Sequence, residues 1–243
     1  MTAAQEILEE NVLDKGFIRL IEFMGGDPAV VLGARVSYAQ GLKGDEKDKK
    51  LVFYLMQHSH MTPFEQAVLK FHVKCPIFVM RQWIRHRIGS FNEHSARYSE
   101  MADEFYIPAE FRKQDVKNKQ GSLAAGAEID QKEALAEYTR TIGQTYATYQ
   151  SLIAAGAARE MARMVLPTAL YTQFYWTVNA RSLMNFILLR AEGHAQWEIQ
   201  QYALALAKFF KMRMPWTWEA FLRFTWKGGN PVLDQEKAQF NGS

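Results

Sequence analysis

The stretch VLKFHVKC at positions 68–75 constrains the fold more than any other part of the chain, because apolar and polar residues alternate through it without a break. A period of two places every second side chain on one face, which is typical of a strand with one face on a core. His72 then falls on the exposed face. Pro76 ends the strand and is well placed to open a helix over 77–88. The sequence therefore predicts a strand that leads directly into a helix.

The rest of the chain predicts a single α+β domain over residues 1–243, with a mixed or antiparallel sheet packed against long helices. Two further stretches, 16–24 and 168–178, have the residue types of strands. Helices are predicted by apolar spacing, capping residues and prolines at 28–38, 51–60, from Thr62 onward, 130–155, 157–165, 179–192, 195–212 and 215–226. We expect a frayed tail or short helix at 1–12, a loop at 90–98 and a flexible surface loop at about 111–131.

Composition excludes several classes of protein. Hydrophobic residues make up 48% of the 243 residues, which is enough for a core, and the net charge of +3 is too small to predict bulk nucleic-acid binding. Cys75 is the single cysteine, so no internal disulfide is possible, as in proteins of reducing compartments. The N-terminus is polar, and no apolar run approaches the ~18 residues of a membrane span. The prediction is a cytoplasmic protein with no membrane or nucleic-acid partner.

The most polar short stretch is RHRIGSFNEHSARY at 85–98. If 77–88 is a helix, Phe78, Gln82 and Arg85 share one face, and the loop that follows carries further polar side chains. A helix end that turns into a polar loop can surround a small ligand, with arginine suited to phosphate. On this stretch alone, a solvated helix end whose charges face water is an equally good interpretation.

A second polar concentration lies at 179–201. Helical spacing places Asn179, Arg190 and His194 on one face and Arg181 and Asn185 on nearly the opposite one. One face is expected to meet a ligand, and the other a different subunit or another part of the ligand. The alternative is internal ion pairing with nearby glutamates, which we disfavour because asparagine and histidine are not the charge partners that it needs.

Other chemistries lack their sequence signals. The chain contains no HExxH, GxSxG, GxGxxG or GxxxxGK[ST] motif, and its histidines and cysteine do not have the spacing of metal ligands, so we expect no metal site. Cys75 stands at a strand end before Pro76 and is interpreted as a buried structural thiol. A nucleotide would have to be bound by scattered arginine, histidine, serine and asparagine side chains.

These residues match a known pattern, and the chain resembles the flavin-dependent thymidylate synthase family. That family is marked by Arg-His-Arg, seven residues and then Ser, which corresponds to Arg85, His86, Arg87 and Ser95. The HxTPFE segment at 60–65, ARMVLP at 162–167 and NARSLMNFILLRAEGHAQWEIQQYA at 179–203 also resemble the family. The similarity covers most of residues 13–226.

The resemblance implies an activity and an assembly. The family methylates dUMP to dTMP with methylenetetrahydrofolate as carbon donor, FAD as hydride carrier and NADPH as reductant. Its members are α+β homotetramers with active sites at subunit junctions. Hydride activation of the pyrimidine requires no enzyme nucleophile, which agrees with the unfavourable position of Cys75. Two alternatives remain open, a non-catalytic nucleotide- or RNA-binding module that would use 81–97, and a helical scaffold protein.

The resemblance also implies site residues. The dUMP contacts would be Gln82, Trp83, Ile84, Arg85, Glu93, His94, Ser95, Ala96, Arg97, Arg163 and Arg190. The FAD contacts would be His60, Thr62, Arg85, His86, Arg87, Glu93, Asn179, Ala180, Arg181, Asn185 and His194. Arg190 would be catalytic, stabilising charge on the uracil, and Ser95 would contact the ligand without acting as a nucleophile. His94 stands where a small or apolar residue is expected.

Overall fold

A five-stranded antiparallel sheet forms the centre of the computed structural model, which describes residues 8–116, 118–119, 121–123 and 129–241. Its strands follow the order β1-β2-β3-β7-β4. A separate two-stranded hairpin pairs β5 with β6. The strands are β1 (Leu8–Val12), β2 (Gly16–Met24), β3 (Val68–Pro76), β4 (Ser90–Glu93), β5 (Lys113–Gln114), β6 (Ser122–Leu123) and β7 (Tyr171–Asn179).

Helices pack on one face of this sheet and continue beyond it. They are α1 (Asp27–Arg35), α2 (Asp45–Gln57), α3 (Ile77–Trp83), α4 (Gln131–Ala154), α5 (Arg159–Ala162), α6 (Ala180–Arg190), α7 (Trp197–Arg213), α8 (Pro215–Phe224) and α9 (Pro231–Asn241). Short 3-10 helices occupy Val36–Tyr38, Thr62–Gln66 and Arg163–Val165. The α+β class with an antiparallel sheet is confirmed. None of the helices in the described segments is long and apolar enough to span a membrane.

The predicted alternation of β3 is confirmed by burial. The side chains on one face, Leu69, Phe71, Val73 and Cys75, are completely buried, while His72 on the other face is partly exposed and stacks on Tyr175. The core on the covered face centres on Trp83, Trp176 and Phe186, whose rings contact one another. A smaller apolar cluster lies between α4 and the segments 101–107 and 162–170.

Several boundaries differ from those expected. Residues 8–12 form an edge strand, so the expected tail or short helix at 1–12 is wrong for its described part, and residues 1–7 lie outside the described residues. Helix α2 begins at Asp45, six residues before the expected start at 51, because acidic residues in its first turn favour a helix N-terminus. Thr62 does not cap an α-helix, since the segment is a 3-10 helix preceded by Met61. Helix α9 was not predicted.

The largest correction concerns the segment after Pro76. Helix α3 ends at Trp83, five residues before the expected Ile88, and the expected loop at 90–98 begins with strand β4. The backbone amides of Arg85 and His86 bond three residues back, which tightens the last turn. The buried ring of Trp83 holds the helix end, and pairing of Ser90 with Thr177 returns the chain to the sheet. Arg85, His86 and Arg87 therefore lie in a connection and not on a helix.

The described part of 111–131 contains the β5-β6 hairpin, which gives it some regular structure. Its backbone is joined to helix α4, because the side chain of Gln131 bonds the amide and carbonyl of Phe111. The rest of the expected loop, residues 117, 120 and 124–128, lies outside the described residues. The flexibility of this segment stays a prediction.

Candidate active site

A cavity of about 460 Å³ opens at the end of β4, where the sheet meets the smaller apolar cluster. Its walls come from β4, the segment after it, the start of α3, the 3-10 helix at 163–165 and the start of β7. The lining includes six residues predicted to bind dUMP: Glu93, His94, Ser95, Ala96, Arg97 and Arg163. These residues, which are separated by up to 70 positions in the sequence, are brought together by the fold.

The segment 94–99 is a hydrogen-bonded turn. The amide of His94 donates to the carbonyl of Gln173 at 2.8 Å, which extends the pairing of β4 with β7 by one residue. Ser95 shapes the turn, since its carbonyl accepts from the Tyr98 amide at 3.2 Å and its Oγ from the Arg97 amide at 3.4 Å. His94 Nε2 lies 2.7 Å from Ser99 Oγ, which closes the turn. Its backbone is thus ordered beside the cavity.

Electrostatics at this cavity favour an anion. Arg97 and Arg163 are both exposed, and within the described part of the chain neither forms an ion pair with a carboxylate. Two uncompensated guanidinium groups with a serine hydroxyl match a phosphate, since arginine offers a planar fork of donors. Glu93 brings an acceptor to the same wall, which suits the hydroxyl or N–H groups of a sugar or base.

Arg190 lies in a second group of predicted residues. Its Nε donates to Nε2 of His86 at 2.9 Å, and its Nη2 donates to the backbone carbonyl of Gln82 at 3.3 Å. Burial, together with the Arg190 charge, lowers the pKa of His86 from 6.5 to about 4. The imidazole is therefore neutral near pH 7 and accepts at Nε2, which places its own proton on Nδ1. His86, predicted as an FAD contact, orients Arg190.

The predicted contacts at 82–87, which lie around Arg190, differ in how far a ligand can reach them. Gln82 Nε2 bonds Gln196 Oε1 at 2.6 Å, a link that no sequence pattern predicted. Arg85 and Arg87 are exposed, and Ile84 is 36% exposed. The side chain of Trp83 is completely buried among core rings, so only its backbone can meet a nucleotide. Among the described residues, this group does not line the cavity at 93–97.

A third group surrounds the first turn of α6. Asn179 caps the helix by accepting the Ser182 amide at 2.9 Å, as predicted, and Ala180 is buried. Arg181 and Asn185 lie one turn apart on the exposed face. Arg181 is ion-paired with Glu65 at 2.6 Å, although its side chain is still 49% exposed.

The expected grouping of Asn179, Arg190 and His194 on one helical face is wrong. Helix α6 ends at Arg190, and His194 lies in the following turn with its side chain 80% exposed. Its Nε2 is 3.7 Å from a carboxylate oxygen of Glu192. His194 therefore lies outside the helical face that carries Arg190.

The third group fits an anionic dinucleotide cofactor. Thr62 is exposed on the 3-10 helix Thr62–Gln66, which packs against α6, and His60 is exposed two residues before it. The Arg181 guanidinium is half exposed, so it can donate to a phosphate while remaining next to Glu65. Of the predicted FAD contacts, Thr62, Arg181 and Asn185 are therefore exposed on two elements that contact each other.

The single cysteine does not compete with this interpretation as a nucleophile. Cys75 is completely buried, which confirms a structural thiol, and burial raises its pKa well above the ordinary value. Such a thiol stays protonated and unreactive. In the described part of the chain, no group of three or more histidine, cysteine or acidic side chains is arranged to hold a metal ion.

Fold and site together define an α+β protein with exposed arginine side chains lining a cavity. The family model described as thymidylate synthase complementing protein matches residues 19–216. The flavin-dependent thymidylate synthase of Thermosipho africanus is 59% identical over 221 residues, covering 91% of this chain and 97% of the relative. That of Thermus thermophilus is 53% identical, covering 86% of this chain and 77% of the relative. The chain belongs to the flavin-dependent thymidylate synthase family.

A solved structure has the same fold. The UMP/dUMP methylase PolB from Streptomyces cacaoi, bound with 5-Br dUMP, superposes with a TM-score of 0.80 at 34% identity. The match covers 88% of this chain and 98% of that chain. The likeness thus extends over nearly the whole of the solved protein.

Proposed function

We propose that this protein methylates dUMP to dTMP, with methylenetetrahydrofolate as carbon donor, FAD as hydride carrier and NADPH as reductant. The observation that carries the proposal is the cavity that brings Arg97 and Arg163 to Ser95 and Glu93. A nucleoside monophosphate has a dianionic phosphate at one end and an uncharged base at the other. The cavity offers the cations Arg97 and Arg163 for the phosphate and the acceptor Glu93 for the sugar or base. The similarity to a UMP/dUMP methylase supports the choice of nucleotide.

The phosphate end of dUMP would be held by Arg97, Arg163 and the turn at Ser95. Both guanidinium groups are free of protein carboxylates in the described chain, so phosphate binding breaks no internal ion pair. The serine already accepts an amide within the turn, and its hydroxyl hydrogen is still available to a phosphate oxygen. Ser95 thus acts as a ligand contact.

Arg190 would carry the catalytic charge. A guanidinium stays cationic at all working pH values, so it stabilises negative charge that develops on the uracil. Partial burial strengthens that effect because water screens the charge less. The neutral imidazole of His86 keeps the guanidinium in one orientation without competing for a proton.

FAD would be held by the third group, with Arg181, Asn185, His60 and Thr62 as contacts and Asn179 setting the start of α6. When bound, the flavin supplies hydride transfer between the reductant and the pyrimidine. The chain's own task is to bind, orient and stabilise charge, for which no enzyme nucleophile is needed. The buried, protonated thiol of Cys75 agrees with a reaction that uses no enzyme nucleophile.

The active site would be completed at a junction of subunits in a homotetramer. Arg190 and Gln82 lie outside the cavity that holds Arg97 and Arg163, although one nucleotide is expected to touch all of them. Exposed apolar side chains stand beside site residues in the sequence: Ile88 at 72%, Tyr98 at 80%, Met161 at 53% and Met164 at 68%. Apolar residues exposed around a polar site are typical of a surface that another subunit covers. A cytoplasmic location is part of the same proposal.

The decisive experiment starts with purified protein supplied with FAD. We expect flavin absorbance after gel filtration and dTMP formation that requires dUMP, methylenetetrahydrofolate and NADPH together. Tritium release from C5-labelled dUMP gives an independent measure of turnover. A protein that retains no flavin, or that binds flavin and makes no dTMP from the complete mixture, would overturn the proposal.

A further inference from the structure

Thr172 is a buried hydroxyl residue on the wall of the nucleotide cavity, and the sequence motifs do not include it. It pairs with Cys75 across β3 and β7, on the face of the sheet that the helices cover. On this face the neighbouring β7 positions are Phe174 and Trp176, both buried. A threonine in such a row is unexpected, because a buried hydroxyl without a partner costs free energy that valine would not.

The partner of this hydroxyl is Glu93. Thr172 Oγ1 donates to Glu93 Oε1 at 2.7 Å. Because Glu93 pairs with Phe174, its side chain lies on the same covered face, diagonally beside Thr172. The row of apolar residues on this face thus ends in one polar pair, at the point where the cavity opens.

The pair leaves one carboxylate oxygen available. Glu93 is exposed towards the cavity, and in the described chain no protein donor is bonded to its Oε2. A glutamate side chain has three rotatable bonds, so an unrestrained carboxylate would spend much of its time away from the ligand. A fixed donor on a β-strand removes this freedom before the ligand arrives.

We propose that Thr172 is a positioning residue for dUMP, holding the Glu93 carboxylate against the cavity so that its second oxygen accepts from the nucleotide. This inference rests on the proposed function, since it assigns dUMP to the cavity. The group that donates to Oε2 is a sugar hydroxyl or the uracil N–H, both of which a carboxylate accepts. We assign its effect to Glu93, since the hydroxyl hydrogen of Thr172 is already donated to that carboxylate and not to the nucleotide.

The test measures dUMP affinity by calorimetry on the FAD-loaded protein, together with KM and kcat. Thr172→Val keeps the shape and removes the hydroxyl, and we expect dUMP affinity to fall about tenfold, as for loss of a hydrogen bond to a charged group. KM for dUMP rises correspondingly and kcat stays within about twofold. Thr172→Ser restores the donor and should bind within about twofold of the wild type. Thr177→Val, on the opposite face of β7, is the matched control and should change nothing.

A double-mutant cycle separates positioning from packing. In a Glu93→Ala background, Thr172→Val should cost dUMP affinity less than about twofold, because the hydroxyl then has no carboxylate to hold. An equal loss of dUMP affinity in both backgrounds would overturn this inference and leave the proposed function standing. Full dUMP affinity of Thr172→Val, with normal binding by the wild type, would do the same. A wild-type protein that binds no dUMP would overturn the proposed function as well. If the valine variant does not fold, Thr172→Ala replaces it in the same cycle.

Discussion

Arg190 and His86 are joined by a hydrogen bond of 2.9 Å from the guanidinium Nε to the imidazole Nε2. This contact connects the end of α6 to the connection after α3, two segments that are about a hundred residues apart in the sequence. It fixes the direction of the one cation to which we assign a catalytic role. Changes at either residue should therefore affect turnover.

The first prediction concerns the acceptor at His86. His86→Gln retains a side-chain oxygen that can accept from Arg190, whereas His86→Leu retains none. We expect kcat to fall about tenfold or more in the leucine variant and clearly less in the glutamine variant, because an unrestrained arginine stabilises the charge on the uracil less well. Steady-state kinetics at saturating dUMP measures the difference. Equal losses in the two variants would contradict an orienting role for the hydrogen bond.

The second prediction is a pH dependence from the same histidine. Its pKa is about 4 in the folded protein and 6.5 when unfolded, so the unfolded chain binds more protons between these values. Stability from neutral His86 is complete above pH 6.5 and is lost as the pH falls from 6.5 to 4. The shift corresponds to at most about 3 kcal/mol. Urea unfolding of wild type and His86→Gln across this range should show a steeper decline for the wild type, and parallel curves would contradict it.

The third prediction tests the cationic side of the cavity. Arg163→Gln should weaken dUMP binding about tenfold or more, because one charge-assisted contact to the phosphate is lost. Deoxyuridine, which has no phosphate, should bind the variant and the wild type equally. Arg159→Gln, four residues away in α5 and outside the cavity lining, is the matched control. If Arg163→Gln weakened the binding of dUMP and deoxyuridine equally, Arg163 would not be a contact of the phosphate.

The fourth prediction concerns flavin binding at the start of α6. Arg181→Gln should reduce FAD affinity about tenfold, measured by titration of the apoprotein with FAD and following flavin fluorescence. Arg140→Gln in α4 removes a comparably exposed, ion-paired arginine that is not among the predicted contacts and should leave FAD affinity unchanged. Unchanged affinity in Arg181→Gln would contradict the proposed cofactor surface.

The fifth prediction is about stability. A Cβ on Gly16 would overlap the hydroxyl of Tyr202, which is itself bonded to the carbonyl of Lys74. Gly16→Ala should lower the free energy of unfolding by about 2 kcal/mol, as overpacking does. Gly143→Ala in α4 meets no atom within 4 Å and should raise it by about 0.5 kcal/mol. Chemical denaturation of both variants provides the comparison.

Much of the fold follows from local pattern. The alternation through β3 and the cap at Asn179 are predictable because strand period and helix capping depend on neighbouring residues. The early end of α3 is not predictable from local pattern, because it depends on the burial of Trp83 against rings that come from distant segments. Strand β4 is only four residues long and has no pattern of its own.

In the site, too, contacts between near neighbours in the sequence were predictable and contacts between distant segments were not. The motifs placed Glu93, Ser95 and Arg97 together because they are close neighbours in one segment. Thr172 was missed since its partner depends on the register of β4 against β7, which one sequence does not reveal. The hydrogen bond between His86 and Arg190 was missed for the same reason, because it joins two segments whose distance is set only by the packed core.

The short ladder of β4 also explains why the motif counts seven residues between Arg87 and Ser95. Four of the seven are strand positions whose partners on β7 are fixed, and Gly89 before them packs where a side chain would meet the indole of Trp176 at 2.7 Å. One inserted residue would turn Glu93 to the opposite face of the sheet. The spacing within the motif is therefore set by the pairing of β4 with β7, and the ligand contacts on either side of the strand depend on that spacing.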